Sequence, residues 1–228
     1  MKARSTYESL PKVYGVNLGG WLVTEPWITP SLFETVEKRS GQLPVDEYNI
    51  CTILQIKAKS FLNYHWDTFY TESDLVKIAG LGLNSIRIPV GYWSFGLLPD
   101  DPYIHGQEKY LDLAIEWAER YNMKVQIGLH GLPGSQNGFD NSGFRTDKPQ
   151  WLENKENMNL AYKVVDYILN KYGNMPIIHS IQVVNEPMGW ILNRTKLLDL
   201  YRFAITPFEE KHLKAKLVLH DAFYCMEF

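Results

Sequence analysis

An α/β domain built on a parallel sheet is what this sequence predicts, and three observations carry that expectation. Short β-branched runs alternate with amphipathic helical stretches along the chain. The links between them are mostly short, which suits right-handed strand–helix–strand crossovers. Polar and charged residues collect where the apolar runs end: Glu25, Arg87, His130, Asn185 with Glu186, and His220 with Asp221. Doubly wound sheets and (β/α) barrels both satisfy the alternation. Five polar strand ends on one face favour a barrel with a site at its C-terminal mouth.

The elements follow in order. Val13 to Leu18 is an apolar run stopped by Gly19-Gly20, a first strand. Ile50, Ile53, Leu54, Ala58 and Phe61 recur at helical spacing and predict one helix from Asp46 to Phe61. Glu72 to Ala79 reads as a short helix stopped by Gly80 and Gly82. Leu83 to Pro89 is a second strand, closed by its proline. Glu108 to Tyr121 carries Leu111, Ala114, Trp117, Ala118 and Tyr121 on one stripe, an amphipathic helix. Met123 to Leu129 is a third strand leading into the loop His130 to Gly143. Asn157 to Tyr172 is a helix, Ile178 to Val184 a fourth strand, Leu197 to His212 a helical segment, and Ala215 to Leu219 a fifth strand.

Composition narrows the function. At 228 residues one sizeable core is expected, slightly short of the roughly 250 residues of a complete barrel. Lys plus Arg number 23 against 26 Asp plus Glu, and no basic run offers a track for phosphates, so nucleic acid is not an expected partner. A Gly-x-Gly-x-x-Gly turn after the first strand and a Gly-Lys-[Ser/Thr] loop are both missing, which argues against nucleotides. There is no His-Glu-x-x-His and the six His are scattered, so neither a metal nor an organic cofactor is implied. Seven Trp and 14 Tyr suit either a tryptophan-rich core or an aromatic platform for sugars. Cys51 and Cys225 are too distant in sequence for their pairing to be judged. The first residues, Met1-Lys2-Ala3-Arg4-Ser5, form no apolar signal segment, and no transmembrane run is seen. Asn193-Arg194-Thr195 matches a glycosylation sequon that chance often produces.

The most specific chemistry lies at Asn185-Glu186-Pro187, directly after the run Ile181 to Val184. A buried strand that ends in a carboxylate delivers an acid to the barrel mouth. The neighbouring Asn can hydrogen-bond that acid or a sugar hydroxyl. Glycoside hydrolysis needs such an acid together with a second carboxylate across the sugar.

Five further segments accompany it. Gly15-Val16-Asn17-Leu18-Gly19-Gly20-Trp21-Leu22 precedes Glu25-Pro26-Trp27-Ile28-Thr29-Pro30-Ser31-Leu32-Phe33. Next come His65-Trp66-Asp67-Thr68 and Ser85-Ile86-Arg87-Ile88-Pro89-Val90-Gly91-Tyr92-Trp93. The loop His130-Gly131-Leu132-Pro133-Gly134-Ser135-Gln136-Asn137-Gly138-Phe139-Asp140-Asn141-Ser142-Gly143 completes the set. In this order they resemble the fungal exo-β-1,3-glucanases of glycoside hydrolase family five, from Tyr14 to Phe223. The resemblance implies a (β/α)8 barrel and retaining hydrolysis of terminal glucose from β-1,3-glucan. It also implies an extracellular or cell-wall setting; the polar N-terminus leaves the cytoplasm as the alternative.

Carried over residue by residue, the resemblance makes Glu186 the acid/base and gives Asn185 a hydrogen bond to the sugar's 2-hydroxyl. Arg87 would sit beneath the site and hold the nucleophile ionised. Glu25 and His130 would bind hydroxyls of the terminal glucose. Phe139 would clamp the aglycone side, with Asn141 beside it. Blander readings stand alongside: Arg87 neutralising a buried carboxylate, Phe139 anchoring a loop, His130 a satisfied polar residue.

The family's nucleophile is a Glu near the end of a seventh strand, and this sequence predicts about five of eight strand–helix units. The expectation is therefore an incomplete barrel without a nucleophile; Asp221 and Glu227 are not accepted as substitutes. Val16, Ile86, Ile127 and Val183 are expected to face the barrel interior and leave an exposed apolar concave surface. Rival readings are a non-catalytic glucan-binding protein using Trp21, Trp27, Trp93 and Phe139, a β-glucosidase acting on steryl or lipid glucosides, and an unstable, inactive product.

Overall fold

The computed structural model of the chain describes residues 12–223. The strands β1 (Gly15–Asn17), β2 (Ser85–Gly91), β3 (Lys124–Gly131), β4 (Ile178–Gln182) and β5 (Lys216–Val218) form one sheet in the order β1-β2-β3-β4-β5. Every neighbouring pair is parallel. A doubly wound sheet reverses its strand order at a switch point. This sheet never reverses, which is the progression of a (β/α) barrel.

Helices make the crossovers. Between β1 and β2 lie α1 (Pro30–Ser40), α2 (Glu47–Leu54), α3 (Ala58–Thr68) and α4 (Glu72–Gly80). Then α5 (Gln107–Arg120), α6 (Lys155–Tyr172) and α7 (Arg194–Glu210) each precede the next strand. In α6, Asn154 caps the first turn by accepting from the backbone N–H groups of Glu156 and Asn157, and Ala161, Val164, Val165, Ile168 and Leu169 are buried. α4, α5, α6 and α7 lie where the periodicity places them, within a few residues.

Three expectations are corrected. The helix expected from Asp46 to Phe61 is broken: Gln55 takes a φ of 49°, a short 3₁₀ turn follows, and α3 resumes at Ala58 with a new axis. α1 was not expected, although Pro30 opens it and Gly41, at φ 75°, closes it in the left-handed cap position. Pro89 does not end β2, which continues to Gly91. The Arg87 carbonyl bonds the Leu18 N–H on the β1 side, so residue 89 faces that side too, where β1 has already ended. Proline removes no ladder hydrogen bond there.

The faces of the sheet are also assigned differently. Registers align Asn17, Arg87, Gln126 and Ser180, and align Ile88, Ile127, Ile181 and Leu217. Arg87 bonds Asn17 and Gln182, so these polar residues share the concave face. Val16, Ile86, Ile127 and Val183 lie on the opposite face, against the helices; the last three are buried in the core and Val16 is half-buried. No exposed apolar concave surface forms there, because the sheet alternates with period two rather than being apolar on both sides. Five of the seven Trp (Trp21, Trp66, Trp93, Trp117 and Trp151) belong to the core, which resolves most of the aromatic content as packing. Cys51 is buried; its pairing with Cys225 falls outside the described residues.

Truncation on the two faces should differ accordingly. Ile127→Ala is expected to lose about 2–5 kcal/mol in urea unfolding. Gln126→Ala, one residue away on the polar face, should lose less than about 1 kcal/mol. Equal shifts of the unfolding midpoint would contradict this assignment of faces.

Candidate active site

Glu25, Arg87, His130, Asn185 and Glu186 reach one region from the ends of four segments, and Asn141 joins them from the β3–α6 loop. Arg87 is the centre of the arrangement. Its Nη1 donates to Asn17 Oδ1 at 2.9 Å, and its Nη2 donates to Gln182 Oε1 at 2.7 Å and Asn185 Oδ1 at 3.0 Å. A Cβ at Gly128 would lie 3.0 Å from Arg87 Nη2, so glycine there leaves room for the guanidinium. Burial lowers the Arg87 pKa, and the charges of Glu186 and Glu25 oppose that shift. An always-charged group held in this way gives the mouth a fixed positive charge.

Glu25 is 3% exposed, and its carboxylate accepts from Trp27 Nε1 at 3.1 Å. Burial raises its pKa to about 7; the Trp27 hydrogen bond and Arg87 pull it down, while Asp140 and Glu186 push it up. His130 Nε2 lies 3.9 Å from Glu25 Oε1. That contact is not an ion pair, because burial, reinforced by Arg87, lowers the His130 pKa to about 3 and leaves the ring neutral. His130 is the residue skipped by the β2–β3 register between Leu129 and Gly131. Such a bulge re-aims a side chain at a strand end. The buried atoms His130 Nδ1 and Asn185 Nδ2 have no hydrogen-bond partner among the described residues.

Glu186 follows β4 with a φ of 47°, in the left-handed region. That conformation costs a non-glycine residue roughly 1–2 kcal/mol and is kept only where its surroundings impose it. Its Oε2 accepts from Asn141 Nδ2 at 2.9 Å, and Asn141 Oδ1 in turn accepts from Asn137 Nδ2 at 3.2 Å. Asn137 Oδ1 also accepts the Phe139 N–H at 2.9 Å, which orders the loop carrying that ring. Phe139 itself is 46% exposed, placed as a rim residue.

Residues that sequence reasoning missed support these groups. Glu47 is fully buried and accepts from Thr24 N–H, Trp93 Nε1 and Gln107 Nε2, joining three separate segments. Burial raises its pKa to about 7 against those hydrogen bonds. Trp93 stacks on Tyr103 at 4.3 Å and is enclosed by Gly91, Gly131 and Gly143, where any Cβ would come within 2.3–2.6 Å of its ring or of backbone. Gln136 donates from Nε2 to the His130 and Asn185 carbonyls. The one available signal was at Gln136, a glutamine between Gly134 and Gly138; nothing around Glu47 sets it apart.

Other expected residues lie elsewhere. Trp21 and Trp93 are 0% exposed and offer no surface to a sugar, whereas Trp27 is 74% exposed. His220 and Asp221 follow β5 but bond locally, Asp221 Oδ1 accepting the Phe223 N–H and contacting His220 Nδ1 at 3.4 Å. Glu227 is outside the described residues. A cleft of about 1100 Å³ between α1 and α3 contains none of the residues assembled above, and its lining has no carboxylate. Among the described residues no group of three or more His, Cys, Asp or Glu could hold a metal, and no helix is long and apolar enough to cross a membrane.

The raised pKa of Glu25 has a measurable sign. Folding disfavours its ionised form, so its contribution is fully present below the ordinary value of 4.5 and is lost as pH rises through about 7. The neutral isostere Glu25→Gln should therefore gain melting temperature relative to the parent between pH 4.5 and 7.5, with a constant difference above. A difference that stays flat across that range would refute the shift.

No protein-family model matches the chain. It is 47% identical over 216 residues to glucan 1,3-beta-glucosidase 2 of Wickerhamomyces anomalus, covering 93% of this chain and 50% of that protein. It is 46% identical over 222 residues to the sporulation-specific glucan 1,3-beta-glucosidase of Saccharomyces cerevisiae, covering 93% and 49%. The chain thus spans about half the length of the curated relatives it matches. Among solved structures, rutinosidase from Aspergillus niger superposes with a TM-score of 0.80 at 25% identity, over 93% of this chain and 63% of that one. A further glycoside hydrolase shares the fold, with a TM-score of 0.55 at 20% identity, over 91% of this chain and 52% of its own. With strand order, mouth residues and sequence in agreement, the chain belongs to the family of the fungal glucan 1,3-beta-glucosidases, glycoside hydrolases of (β/α)-barrel fold.

Proposed function

We propose that this chain carries the acid/base arm and the terminal glucose subsite of a retaining exo-β-1,3-glucanase. The observation behind this reading is the Glu186 carboxyl group, half-buried at the strand mouth and fixed by Asn141 at 2.9 Å beside the Arg87–Asn185 pair. In the first step Glu186 protonates the glycosidic oxygen as its bond to the anomeric carbon breaks and that carbon bonds to a nucleophilic carboxylate, giving a glycosyl-enzyme. In the second it takes a proton from the water that releases glucose. Asn185 Nδ2 is free to meet the sugar's 2-hydroxyl, and its oxygen is already held by Arg87. Glu25 and the neutral His130 meet the remaining hydroxyls, and Phe139 borders the leaving-group side.

The nucleophile in this reading is none of the described carboxylates. Glu25 is held near pKa 7 and engaged by Trp27, which leaves a large protonated fraction at neutral pH. Asp221 turns back on its own backbone. β-Glucan is the proposed substrate because the curated relatives are named for it; an extracellular or cell-wall setting is proposed with it.

Glucose release from laminarin, with Glu186→Gln as control, tests the chemistry, and laminaritriose titration tests the subsite. The expected result is saturable laminaritriose binding, weakened at least ten-fold by Arg87→Met. Little or no glucose release is expected from the 228-residue chain itself. Release abolished by Glu186→Gln would show a nucleophile within the chain. Absence of binding by the folded protein would refute the subsite.

A further inference from the structure

Gln136 is fully buried and makes four hydrogen bonds, all to main chain. Its Oε1 accepts the Leu132 N–H at 3.0 Å, and its Nε2 donates to the His130 carbonyl at 2.7 Å and the Asn185 carbonyl at 2.9 Å. Its own carbonyl accepts the Met188 N–H at 3.2 Å. The residues on either side of Glu186-Pro187 are therefore both tied to one residue of the β3–α6 loop. Between those two ties sits Glu186, at a φ of 47°.

We infer that Gln136 is a positioning residue that holds Glu186 in its left-handed conformation and so aims its carboxyl group. Three physical points support this. A non-glycine residue leaves the left-handed region unless its neighbours are held, and here both are held. Gln136 also fixes the His130 backbone, so one amide sets the separation between the acid and the terminal glucose subsite. Finally, the adjacent Asn137 orients Asn141, the donor to Glu186, so residues 136 and 137 control the backbone and the carboxyl end of the same residue. No other residue type supplies an acceptor and two donors in this shape: Leu supplies neither, and Glu supplies one donor when protonated and none when ionised.

The inference rests on Glu186 being the acid/base, and the test separates the two. The probe is isofagomine, a glucose-configured iminosugar whose ammonium seeks carboxylates, measured by calorimetry at pH 7 against the parent, Gln136→Leu and Gln136→Glu. Leu200→Ala, in the α7 core, serves as a comparison that is destabilised without touching the site. Crystal structures of the variants read the Glu186 backbone directly. The expected result is at least ten-fold weaker isofagomine binding by both Gln136 variants and unchanged binding by Leu200→Ala. Glu186 should then have a negative φ and no hydrogen bond to Asn141. If Gln136→Leu does not fold, Gln136→Glu, of the same shape, carries the comparison. Variants that bind like the parent with Glu186 unmoved would overturn the role of Gln136. Failure of the parent to bind isofagomine would count against the functional reading alone, and the Glu186 conformation in the variants would still decide the role of Gln136.

Discussion

The contacts of the Arg87 guanidinium organise the mouth of this sheet. A buried permanent charge is tolerated only when its donors are satisfied, and here the acceptors come from β1, β4 and the residue before Glu186. Most other features of the site answer to that charge. Asn185 is oriented by it, Gly128 gives it room, and His130 is kept from protonating partly by its presence. The carboxylates Glu25 and Glu186 are near enough to stabilise it electrostatically. The concave face is polar because it must solvate this group, and the apolar residues of each strand are left for the helices.

Around that charge the site combines groups in different electrostatic states. Glu25 is desolvated to a pKa of about 7, His130 is neutral, and Arg87 remains a cation. A neutral imidazole can both donate to and accept from hydroxyls, which a protonated one cannot. Such a surface suits an uncharged, hydroxyl-rich ligand better than an anion. Behind it, Glu47 ties the segments bearing Thr24, Trp93 and Gln107 into one frame. The loops of the mouth are thus fixed by buried polar bonds rather than by regular secondary structure.

Much of this was legible in the sequence, for reasons that can be named. Long amphipathic helices such as α5 and α6 show their period plainly, and Asn185-Glu186-Pro187 after a β-branched run places a carboxylate at the strand mouth. The direction of side chains was not legible. Val16, Ile86 and Ile127 looked like barrel-facing residues because an apolar strand in a parallel sheet does not announce which side is concave. Only the register with Asn17 and Gln126 shows it. The break at Gln55 was hidden because apolar spacing continues across it. Gln136 was invisible because its partners are backbone carbonyls, which every residue possesses. Trp21 and Trp93 read as sugar platforms from residue type alone, and burial makes them core.

The enclosure of Trp93 carries an evolutionary consequence. Gly91, Gly131 and Gly143 come from three stretches of chain, yet each must lack a side chain for the same indole. Sequence change at position 91 is therefore linked to Trp93: a larger residue there becomes tolerable only after the tryptophan has shrunk. A lineage that replaced Trp93 first would free position 91 and leave unfilled space beside it, whereas Gly131 would still be held by the Ser142 carbonyl and Gly143 by its φ of 81°. New side chains could then be drawn into that space. A single inherited change could in this way reshape the wall beside the end of β2 without altering any of the polar residues at the strand mouth.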